Sequence, residues 1–355
     1  MKATGMQNIS QLLMRNLASL RGERLLVVNY PPDDFLLLLR QQLPGANVMA
    51  FNQHYAAHEQ LCTAYQRAKL DATQLIFAPV YIADDSRHDL ALIFLPKSRP
   101  LIEVTLAMVG AALQPGAACF LVGENDSGIR SSRSLLEERI GPARTVDAAR
   151  HCVLFQATKQ VASVPFHLAD WRTSYSLSIG QQNLTVVSLP GVFSHGRLDE
   201  GTQLLLETLE LPAAARVLDF GCGAGVIGAT IKQRWPTCNV TLVDANALAL
   251  EATHQTMLAN DLPVDTIKPS DVFSNVQETY THILSNPPFH TGVKTDYRMV
   301  TTFLQEASRH LVKGGKLRIV ANSFLKYQPF IEANVGPCRV VAENRYYRVY
   351  EGTHE

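Results

Sequence analysis

Short apolar runs alternate with amphipathic stretches along the whole chain, and this pattern predicts its secondary structure. Nearly continuous apolar runs, such as residues 24–30 (RLLVVNY) and 216–220 (RVLDF), are typical of strands that are covered on both faces. Stretches with apolar residues at helical spacing, such as 54–69 and 99–113, predict the helices between them. Strands that alternate with helices in this way predict an α/β fold with a mostly parallel, doubly wound sheet.

The predicted elements follow one another without a long unstructured segment. The helix 1–21 has Ile9, Leu12, Leu13 and Leu17 on one side, and the helix 99–113 stops at Gln114-Pro115-Gly116. Predicted strands are 24–30, 46–51, 74–78, 89–95, 117–123, 143–148, 151–157, 184–188, 216–220, 240–243, 280–285, 316–321, 339–342 and 345–351. Predicted helices are 1–21, 33–41, 54–69, 99–113, 131–140, 200–209, one that ends at 231 and one that begins at 245.

The second half of the chain repeats the first, which indicates a duplication. Residues 91–100 (ALIFLPKSRP) align with 281–290 (THILSNPPFH), and the next segments, 113–125 and 311–323, also match. The opening strand of the first copy runs into Asn29-Tyr30-Pro31-Pro32 without a glycine loop, so we expect this copy to be non-catalytic. The predicted domains are 1–160, a degenerate copy used for substrate docking or stability, 161–188, a linker and hairpin, and 189–355, the catalytic domain.

Composition narrows the class of protein. The chain has 355 residues, 46% of them hydrophobic, and its 32 basic and 32 acidic residues give a net charge of zero. Nucleic-acid binding must therefore depend on local basic patches. The six cysteines lack paired spacing, and neither a secretion signal nor an apolar membrane segment is evident. We expect a cytoplasmic monomer without a metal site and without a membrane anchor.

A glycine-rich loop follows the strand 216–220. It has the sequence GCGAGVIG over 221–228 and leads into a helix. Gly221, Gly223 and Gly225 permit close backbone approach, and the helix start supplies free amides for a nucleotide-like ligand. The loop alone also fits dinucleotide enzymes, but the acid at Asp219 favours S-adenosyl-L-methionine, whose cationic methionine end it can hold directly or through water.

Two further acids follow later strands. Asp244 comes directly after the strand 240–243, where α/β folds place an acid on the ribose hydroxyls, and it can also cap the next helix. Asp271 and Val272 follow a weaker strand. There the carboxylate of Asp271 can accept a hydrogen bond from the adenine amino group, while Val272 packs on the adenine ring.

The sequence Asn-Pro-Pro-Phe at 286–289 follows the strand 280–285. Pro287 forces Asn286 into an extended conformation, so the amide side chain can project into a cleft. The side-chain oxygen of Asn286 and the carbonyl of Pro287 provide two acceptors for one planar amino group, and Phe289 offers a ring for stacking. The same four residues are also compatible with a tight structural loop that has no catalytic role. Only their combination with the glycine loop favours a catalytic site.

Other residues are candidates for contact with a nucleic acid. Phe193 lies in the turn-rich segment 189–199, which either closes over a substrate or only connects two elements. Lys294 and Arg298 follow the Asn-Pro-Pro-Phe sequence and could contact phosphate beside the target base. In the first half, Arg130 and Arg133 stand near a helix start, which suits a phosphate. Further basic residues there are Lys97, Arg99, Arg144 and Arg150, and all six could equally be solvated helix charges.

These motifs, taken together and in this order, resemble the bacterial small-subunit rRNA guanine-N2 methyltransferase C family. The resemblance covers 122–130, 189–199, 219–228, 285–290 and 317–323 (LRIVANS). It implies two tandem Rossmann-like class I methyltransferase domains, of which the N-terminal one is degenerate. It also implies that Gly221, Gly223, Gly225 and Asp244 bind S-adenosyl-L-methionine, and that Asn286, Pro287 and Phe289 hold the guanine.

The resemblance implies methylation of a guanine amino group in 16S rRNA of the small ribosomal subunit. Three alternatives remain at this point. The large-subunit (23S) guanine-N2 enzymes share the two-domain plan. Protein-glutamine N5 methyltransferases also act on a planar amide, although their loop is typically Asn-Pro-Pro-Tyr. A non-enzymatic RNA-binding or assembly factor could retain the cofactor fold.

Overall fold

The chain forms two compact units, Met1–Trp171 and Arg172–Glu355. The computed structural model describes residues 5–84, 87–193, 197–287 and 294–355, and for residues 294–298 it describes the backbone alone. The hairpin that the sequence places in the segment 161–188 belongs to the second unit.

The described part of the first unit contains a seven-stranded sheet with helices on both faces. Its order is β3-β2-β1-β4-β5-β7-β6, in which the first five strands are parallel and β7 is antiparallel to both of its neighbours, β5 and β6. The strands are β1 (Arg24–Val28), β2 (Asn47–Asn52), β3 (Leu75–Phe77), β4 (His88–Phe94), β5 (Leu113–Glu124), β6 (Ala143–Ala149) and β7 (Cys152–Thr158). The helices are α1 (Asn8–Arg15), α2 (Phe35–Gln42), α3 (Tyr55–Arg67), α4 (Arg99–Ala112) and α5 (Arg133–Arg139).

The described part of the second unit repeats this order as β12-β11-β10-β13-β14-β16-β15. A separate hairpin, β8 (Thr173–Ile179) with β9 (Gln182–Ser188), precedes it. The strands of the sheet are β10 (Arg216–Phe220), β11 (Asn239–Asp244), β12 (Thr266–Pro269), β13 (Tyr280–Ser285), β14 (Leu311–Asn322), β15 (Cys338–Glu343) and β16 (Tyr347–Thr353). The helices are α6 (Glu200–Glu207), α7 (Val226–Arg234), α8 (Ala247–Ala259), α9 (Lys294–Glu306) and α10 (Gln328–Asn334).

Burial on both faces explains why the strand sequences are apolar throughout. In β1, Leu25 and Val27 belong to one buried cluster, whereas Leu26 and Val28 belong to another. Successive strand residues point to opposite faces, so each face of the sheet has its own core beneath the helices. The predicted doubly wound α/β architecture, present twice in tandem, is confirmed.

Two predicted boundaries are wrong for an instructive reason. The chain enters β5 at Leu113 and β14 at Leu311, whereas these strands were predicted to begin at residues 117 and 316. In the pairing with β4, His88 opposes Leu113 but Leu90 opposes Ala118, so a bulge absorbs Pro115 and Gly116. The same bulge separates β13 from β14 in the second unit. Proline is tolerated at a bulge because no ladder hydrogen bond is needed there.

The predicted N-terminal helix 1–21 is also longer than the observed one. The α-helix spans only Asn8–Arg15, and a short 3₁₀ turn, Leu17–Ser19, follows it. The side chain of Asn16 donates hydrogen bonds to the carbonyl of Leu12 and to the carboxylate of Asp147. Asn16 is thus tied to both groups at the point where the helix ends.

Candidate functional site

Four of the predicted features of the second unit, the glycine loop, Asp244, Asp271 and Asn286, lie at one edge of its sheet. Strands β12, β11, β10 and β13 are neighbours and parallel, so their carboxyl ends lie at the same edge. The turns that follow them begin with Ser270, Ala245, Gly221 and Asn286. Ligands of open α/β sheets bind at this edge, where the strand order reverses.

The glycine loop borders open space. The amides of Gly221 and Cys222 donate to the carbonyl of Val243 (2.9 and 3.0 Å), which fixes the loop against β11. Gly221 and Gly223 have φ values of 71° and 57°, and a β-carbon on either would meet no atom within 4 Å. The conformation therefore favours glycine, and the surface above these two residues can receive a ligand.

Gly225 serves packing instead. A β-carbon at this position would lie 3.0 Å from the side chain of Thr253 in α8, so the loop and helix could not approach as closely. The hydroxyl of Thr253 donates to the carbonyl of Gly223 at 2.9 Å, and α7 then begins at Val226.

Asp244 ties the end of β11 to the glycine loop. Its Oδ2 accepts from the amide of Gly223 (3.0 Å), and its Oδ1 accepts from the amide of Asn246 (2.9 Å). The expectation that Asp244 caps the next helix is wrong, because α8 begins two residues later than predicted. Asn246 is the cap and accepts from the amide of Leu248 at 2.8 Å. A carboxylate has about four acceptor positions, so Asp244 can still accept from hydroxyl groups.

Asp219 does not line the site. Its side chain is fully buried, Oδ2 accepts from the amide of Gly228 (2.9 Å), and Oδ1 has no hydrogen-bond partner among the described residues. Burial, and then the charge of Asp244, raise the pKa of Asp219 to about 7. A fully buried carboxylate offers no surface for the expected direct contact with the methionine end of a cofactor, and a contact through water stays a prediction. Asp219 instead fixes the first turn of α7.

Asp271 and Val272 lie in the turn after β12. Asp271 is exposed, and Val272 is partly buried against the core cluster that includes Phe220 and Phe273. Val272 has φ = 51°, which is rare for a β-branched residue, and the hydroxyl of Ser270 donates to its carbonyl at 2.9 Å. The turn is thus held in one defined conformation at the edge of the glycine loop's sheet.

Asn286 has a fixed side-chain orientation. Its Nδ2 donates to Oδ2 of Asp199 (2.7 Å) and to the hydroxyl oxygen of Thr202 (2.9 Å). A carboxylate can only accept, so the amide nitrogen must face α6 and the amide oxygen must face the other way. Strand β13 is itself held against β10, because Ser285 Oγ donates to the carbonyl of Phe220 at 2.8 Å. The amide oxygen therefore faces away from α6, at the sheet edge that also carries the glycine loop.

Asp199 and Thr202 are functional candidates that the sequence analysis missed. Asp199 is the N-cap of α6, where its Oδ2 accepts from the amide of Thr202 at 2.8 Å. At the other end of this helix, Arg318 Nη1 donates to the carbonyl of Thr208 (2.6 Å). An aspartate before a helix was a readable cap signal, but nothing in the sequence linked it to Asn286.

Several predicted residues fall at the limits of the described structure. Pro287 is buried, and Phe193 is 48% exposed. Phe289 lies outside the described residues, as do the side chains of Lys294 and Arg298. Their expected roles stay predictions.

The first unit has a different arrangement at the equivalent edge. The amide of Asn29 donates to the carbonyl of Phe51 (2.9 Å), which matches the contact of Gly221 with Val243. The next residue, Tyr30, is only 2% exposed, so a buried ring follows β1 where the second unit has its glycine loop. Burial raises the pKa of this tyrosine.

The basic residues of the first unit are not equivalent. Arg133 donates to Glu137 (3.0 Å) and to the carbonyl of Ala143 (2.6 Å), and its guanidinium lies over the ring of Phe155. Its predicted use for phosphate is not supported, because internal contacts already occupy the group. Lys97 and Arg130 are exposed, and in the described part of the chain neither makes a hydrogen bond or an ion pair.

The described ranges contain neither a metal-ligating cluster nor a membrane-spanning helix. No group of three or more potential metal-ligating side chains is found there, and no helix there is long and apolar enough to cross a membrane. All six cysteines are free.

Two family models match the chain. The "Methyltransferase small domain" matches residues 183–351, and the "Methyltransferase small domain N-terminal" matches residues 10–175. The two models follow the same two-part organisation as the two sheets.

Relatives match over nearly the full length. The "Ribosomal RNA small subunit methyltransferase C" of Pseudoalteromonas translucida is 37% identical and covers 97% of this chain and 98% of its own. The protein of the same name from Pseudomonas aeruginosa is 42% identical over 96% of this chain and 97% of its own. The protein from Pseudomonas fluorescens is 47% identical over 74% of this chain and 78% of its own.

A solved structure shows the same fold. It is described as a T. thermophilus 16S rRNA N2 G1207 methyltransferase in complex with AdoMet and guanosine, and it is 24% identical. It aligns with a TM-score of 0.81 over 100% of this chain and 94% of that chain. The family resemblance inferred from the sequence is thus confirmed: the chain belongs to the family of ribosomal RNA small subunit methyltransferase C.

Proposed function

We propose that this chain transfers a methyl group from S-adenosyl-L-methionine to the N2 amino group of a guanine in 16S rRNA of the small ribosomal subunit, acting as a monomer. The observation that carries the proposal is the fixed amide of Asn286 beside the open glycine loop. The names of the relatives and of the solved neighbour support the same reaction, and guanine 1207 in the neighbour's name is the first position to examine.

The described residues fit the cofactor. Gly221 and Gly223 leave room for its backbone-like methionine part, and the first turn of α7 supplies amides. Asp244 retains acceptor capacity for ribose hydroxyls. In the turn after β12, the carboxylate of Asp271 can accept a hydrogen bond from the adenine amino group, and Val272 can pack on the adenine ring. S-adenosyl-L-methionine supplies an electrophilic methyl group when it is bound.

The residues after β13 can activate the guanine amino group, which is a weak nucleophile. The lone pair of a guanine amino group is delocalised into the ring, so the nitrogen must become pyramidal before it can react. The Oδ1 atom of Asn286 and the carbonyl of Pro287 can accept its two hydrogens, which directs the lone pair toward the glycine loop. Such positioning accounts for several kcal/mol of a barrier without a metal or a strong base. Phe289 would stack on the base.

The two domains have different roles in this proposal. The second, residues 189–355, carries catalysis, and the first, residues 1–160, docks on rRNA phosphates. Lys97 follows β4 and Arg130 follows β5, so both lie at the carboxyl edge of the first sheet. Within the described residues, neither side chain makes a hydrogen bond or an ion pair. Phe193, Lys294 and Arg298 are proposed to contact RNA near the target base.

Substitution of Asn286 tests the proposal. Asn286→Ala removes one acceptor from the amino group but leaves the glycine loop intact. We expect turnover to fall by about two orders of magnitude, as for loss of one transition-state hydrogen bond, with the Kd for S-adenosyl-L-methionine nearly unchanged. Near-normal turnover would remove Asn286 from the chemistry.

A competition assay separates the alternatives. Tritiated S-adenosyl-L-methionine is offered with 16S rRNA, 23S rRNA, both ribosomal subunits and release factors in parallel. Label in 16S rRNA or the small subunit supports the proposal, whereas label in 23S rRNA or in a protein glutamine supports one of the other enzymes. Cofactor binding without any acceptor would support an assembly factor.

A further inference from the structure

We propose that Phe324, Arg345 and Tyr346 form a subsite for the unpaired nucleotide next to the target guanine. These three residues are called the aromatic rim below. The proposal rests on the proposed function and extends it, because it describes how the same site recognises RNA beyond the base that is methylated.

The aromatic rim exposes two large rings. Phe324 is 62% exposed and Tyr346 is 56% exposed, although aromatic side chains usually bury most of their surface. The guanidinium carbon of Arg345 lies 5.4 Å from the ring centre of Tyr346. Flat rings beside a cation match a nucleotide, which combines a base with a phosphate.

The backbone of the rim is rigid. Ser323 donates from its amide to the carbonyl of Tyr346 (2.7 Å) and from its hydroxyl to the carbonyl of Arg345 (3.0 Å). The side-chain oxygen of Asn344 accepts from the amides of Tyr346 (2.9 Å) and Tyr347 (2.7 Å). These contacts hold the backbone beneath the two rings in one conformation before any ligand binds, which lowers the entropic cost of binding.

The rim stands at the same sheet edge as the proposed catalytic amide. Strand β16 is antiparallel to β14, so it begins at the carboxyl edge, where Tyr347 pairs with Asn322. A β-carbon on Gly201 would lie 2.9 Å from the ring of Tyr347, which shows how closely this ring packs on α6. The N-cap of that helix, Asp199, holds Asn286. The rim and the proposed target-base position therefore lie at the same edge of the sheet, and α6 contacts the residues next to both.

The first unit provides an internal comparison. There the amide of Asn125 donates to the carbonyl of His151 at 2.8 Å, as the amide of Ser323 donates to that of Tyr346 in the second unit. Both contacts stand directly after the paired ends of the corresponding strands. The two units thus share the backbone link between these two turns.

The side chains on this shared backbone differ. Asp126 and His151 stand at the positions of Phe324 and Tyr346. The first unit has the same sheet order with an aspartate and an exposed histidine at these two positions, so the fold does not require phenylalanine and tyrosine there. The rings occur in the unit that also has the glycine loop, which favours a role in substrate binding.

An unpaired RNA nucleotide is the ligand that fits this surface. Proteins that recognise single-stranded RNA stack unpaired bases on aromatic rings and on arginine. The flat face of any base can stack in this way, so such binding tolerates different sequences. Arg345 can contact the neighbouring phosphate while Tyr346 or Phe324 carries the base. Loss of one stacking ring typically weakens RNA binding by roughly five- to hundredfold.

The test compares variants of the full chain. Phe324→Ala with Tyr346→Ala removes both rings, whereas Phe324→Tyr with Tyr346→Phe keeps them. Leu258→Ala removes another exposed apolar side chain, 53% exposed and on α8, and serves as the matched control. The Kd for a deproteinised 16S rRNA fragment and the kcat at saturating fragment are measured for each.

We expect the double alanine variant to raise the Kd for RNA about tenfold or more, with the effect on Kd rather than on kcat. The variant that keeps both rings should bind RNA like the wild type. An unchanged Kd in the double alanine variant would overturn the proposal. A defect seen only with assembled subunits would also overturn it, since the rim would then contact a protein.

These outcomes are distinct from failure of the proposed function. If the wild-type chain does not methylate guanine, the proposed function fails, whereas the RNA affinities of the variants still report on the rim.

Discussion

The amide nitrogen of Asn286 lies 2.7 Å from a carboxylate oxygen of Asp199, although the two residues are 87 positions apart. This contact decides which face of the Asn286 amide is turned toward the proposed acceptor site. The hydroxyl of Thr202 receives the second amide hydrogen at 2.9 Å. The catalytic sheet and α6 are thus joined at the group that the proposed reaction uses.

Asp199→Asn should uncouple orientation from helix capping. Asparagine caps a helix about as well as aspartate, so α6 should remain folded. It also offers a donor, so the Asn286 amide is no longer forced into one orientation. We expect kcat to fall about ten- to hundredfold, in line with a small misplacement of a reacting group, with the Kd for S-adenosyl-L-methionine within twofold.

Thr202 provides the matched pair for that experiment. Thr202→Ser keeps the hydroxyl and should keep kcat, whereas Thr202→Val removes it and should lower kcat in the same direction as Asp199→Asn. If all three variants turned over at the wild-type rate, orientation of Asn286 by α6 would have no role in the reaction.

Gly223→Val should abolish cofactor binding, because the new side chain fills the open space above the loop. Gly314→Val is the matched control. Gly314 also has a positive φ, 76°, and open space around it, but it lies in the bulge of β14 at the opposite edge. Both substitutions cost about 1–2 kcal/mol of folding free energy through backbone strain. Calorimetry should show loss of S-adenosyl-L-methionine binding for Gly223→Val alone, and an affinity within a few-fold of wild type would reject this loop as the cofactor site.

The position of the chemistry was largely predictable from the sequence. Glycine loop, Asp244 and Asn286 each follow an apolar run, and parallel strands bring such ends to one edge. The contact between Asp199 and Asn286 was not predictable, because it depends on how α6 packs. The burial of Asp219 was missed as well. A carboxylate just ahead of a glycine loop suggested a ligand contact, but both faces of β10 are covered, and Asp219 accepts a hydrogen bond from the amide of Gly228 instead.

Asp219 should make the stability of the second unit depend on pH. Its pKa is about 7 in the folded chain and near its ordinary value of 3.8 when unfolded. The folded state therefore binds more protons between these values, so the stabilising contribution is complete below pH 4 and is lost as the pH rises through 7.

Asp219→Asn removes this titration. Urea unfolding should show that the wild type loses stability relative to the variant between pH 4 and 7, by up to about 4 kcal/mol at 1.36 kcal/mol per pKa unit. A difference between the two proteins that is constant over this pH range would show that Asp219 titrates normally.

Charge reversal at the first unit tests its proposed docking role. Lys97→Glu with Arg130→Glu should raise the KM for ribosomal substrate and flatten its dependence on salt, since two phosphate contacts are lost. Arg21→Glu with Lys69→Glu is the matched control, because both residues are exposed and lie before β1 and after α3, away from the carboxyl edge. Cofactor affinity should not change in either variant. An unchanged salt slope for Lys97→Glu with Arg130→Glu, together with a lower melting temperature of a fragment that begins near residue 164, would favour a purely stabilising role.

The most direct measurement is the identity of the methylated nucleoside. Deproteinised 16S rRNA and small subunits that lack modification are incubated with the chain and S-adenosyl-L-methionine, digested to nucleosides and analysed by mass spectrometry. The account predicts N2-methylguanosine with the wild type and at least a hundredfold less with Asn286→Ala. Methylation at another atom of the base, or equal product from both proteins, would contradict it.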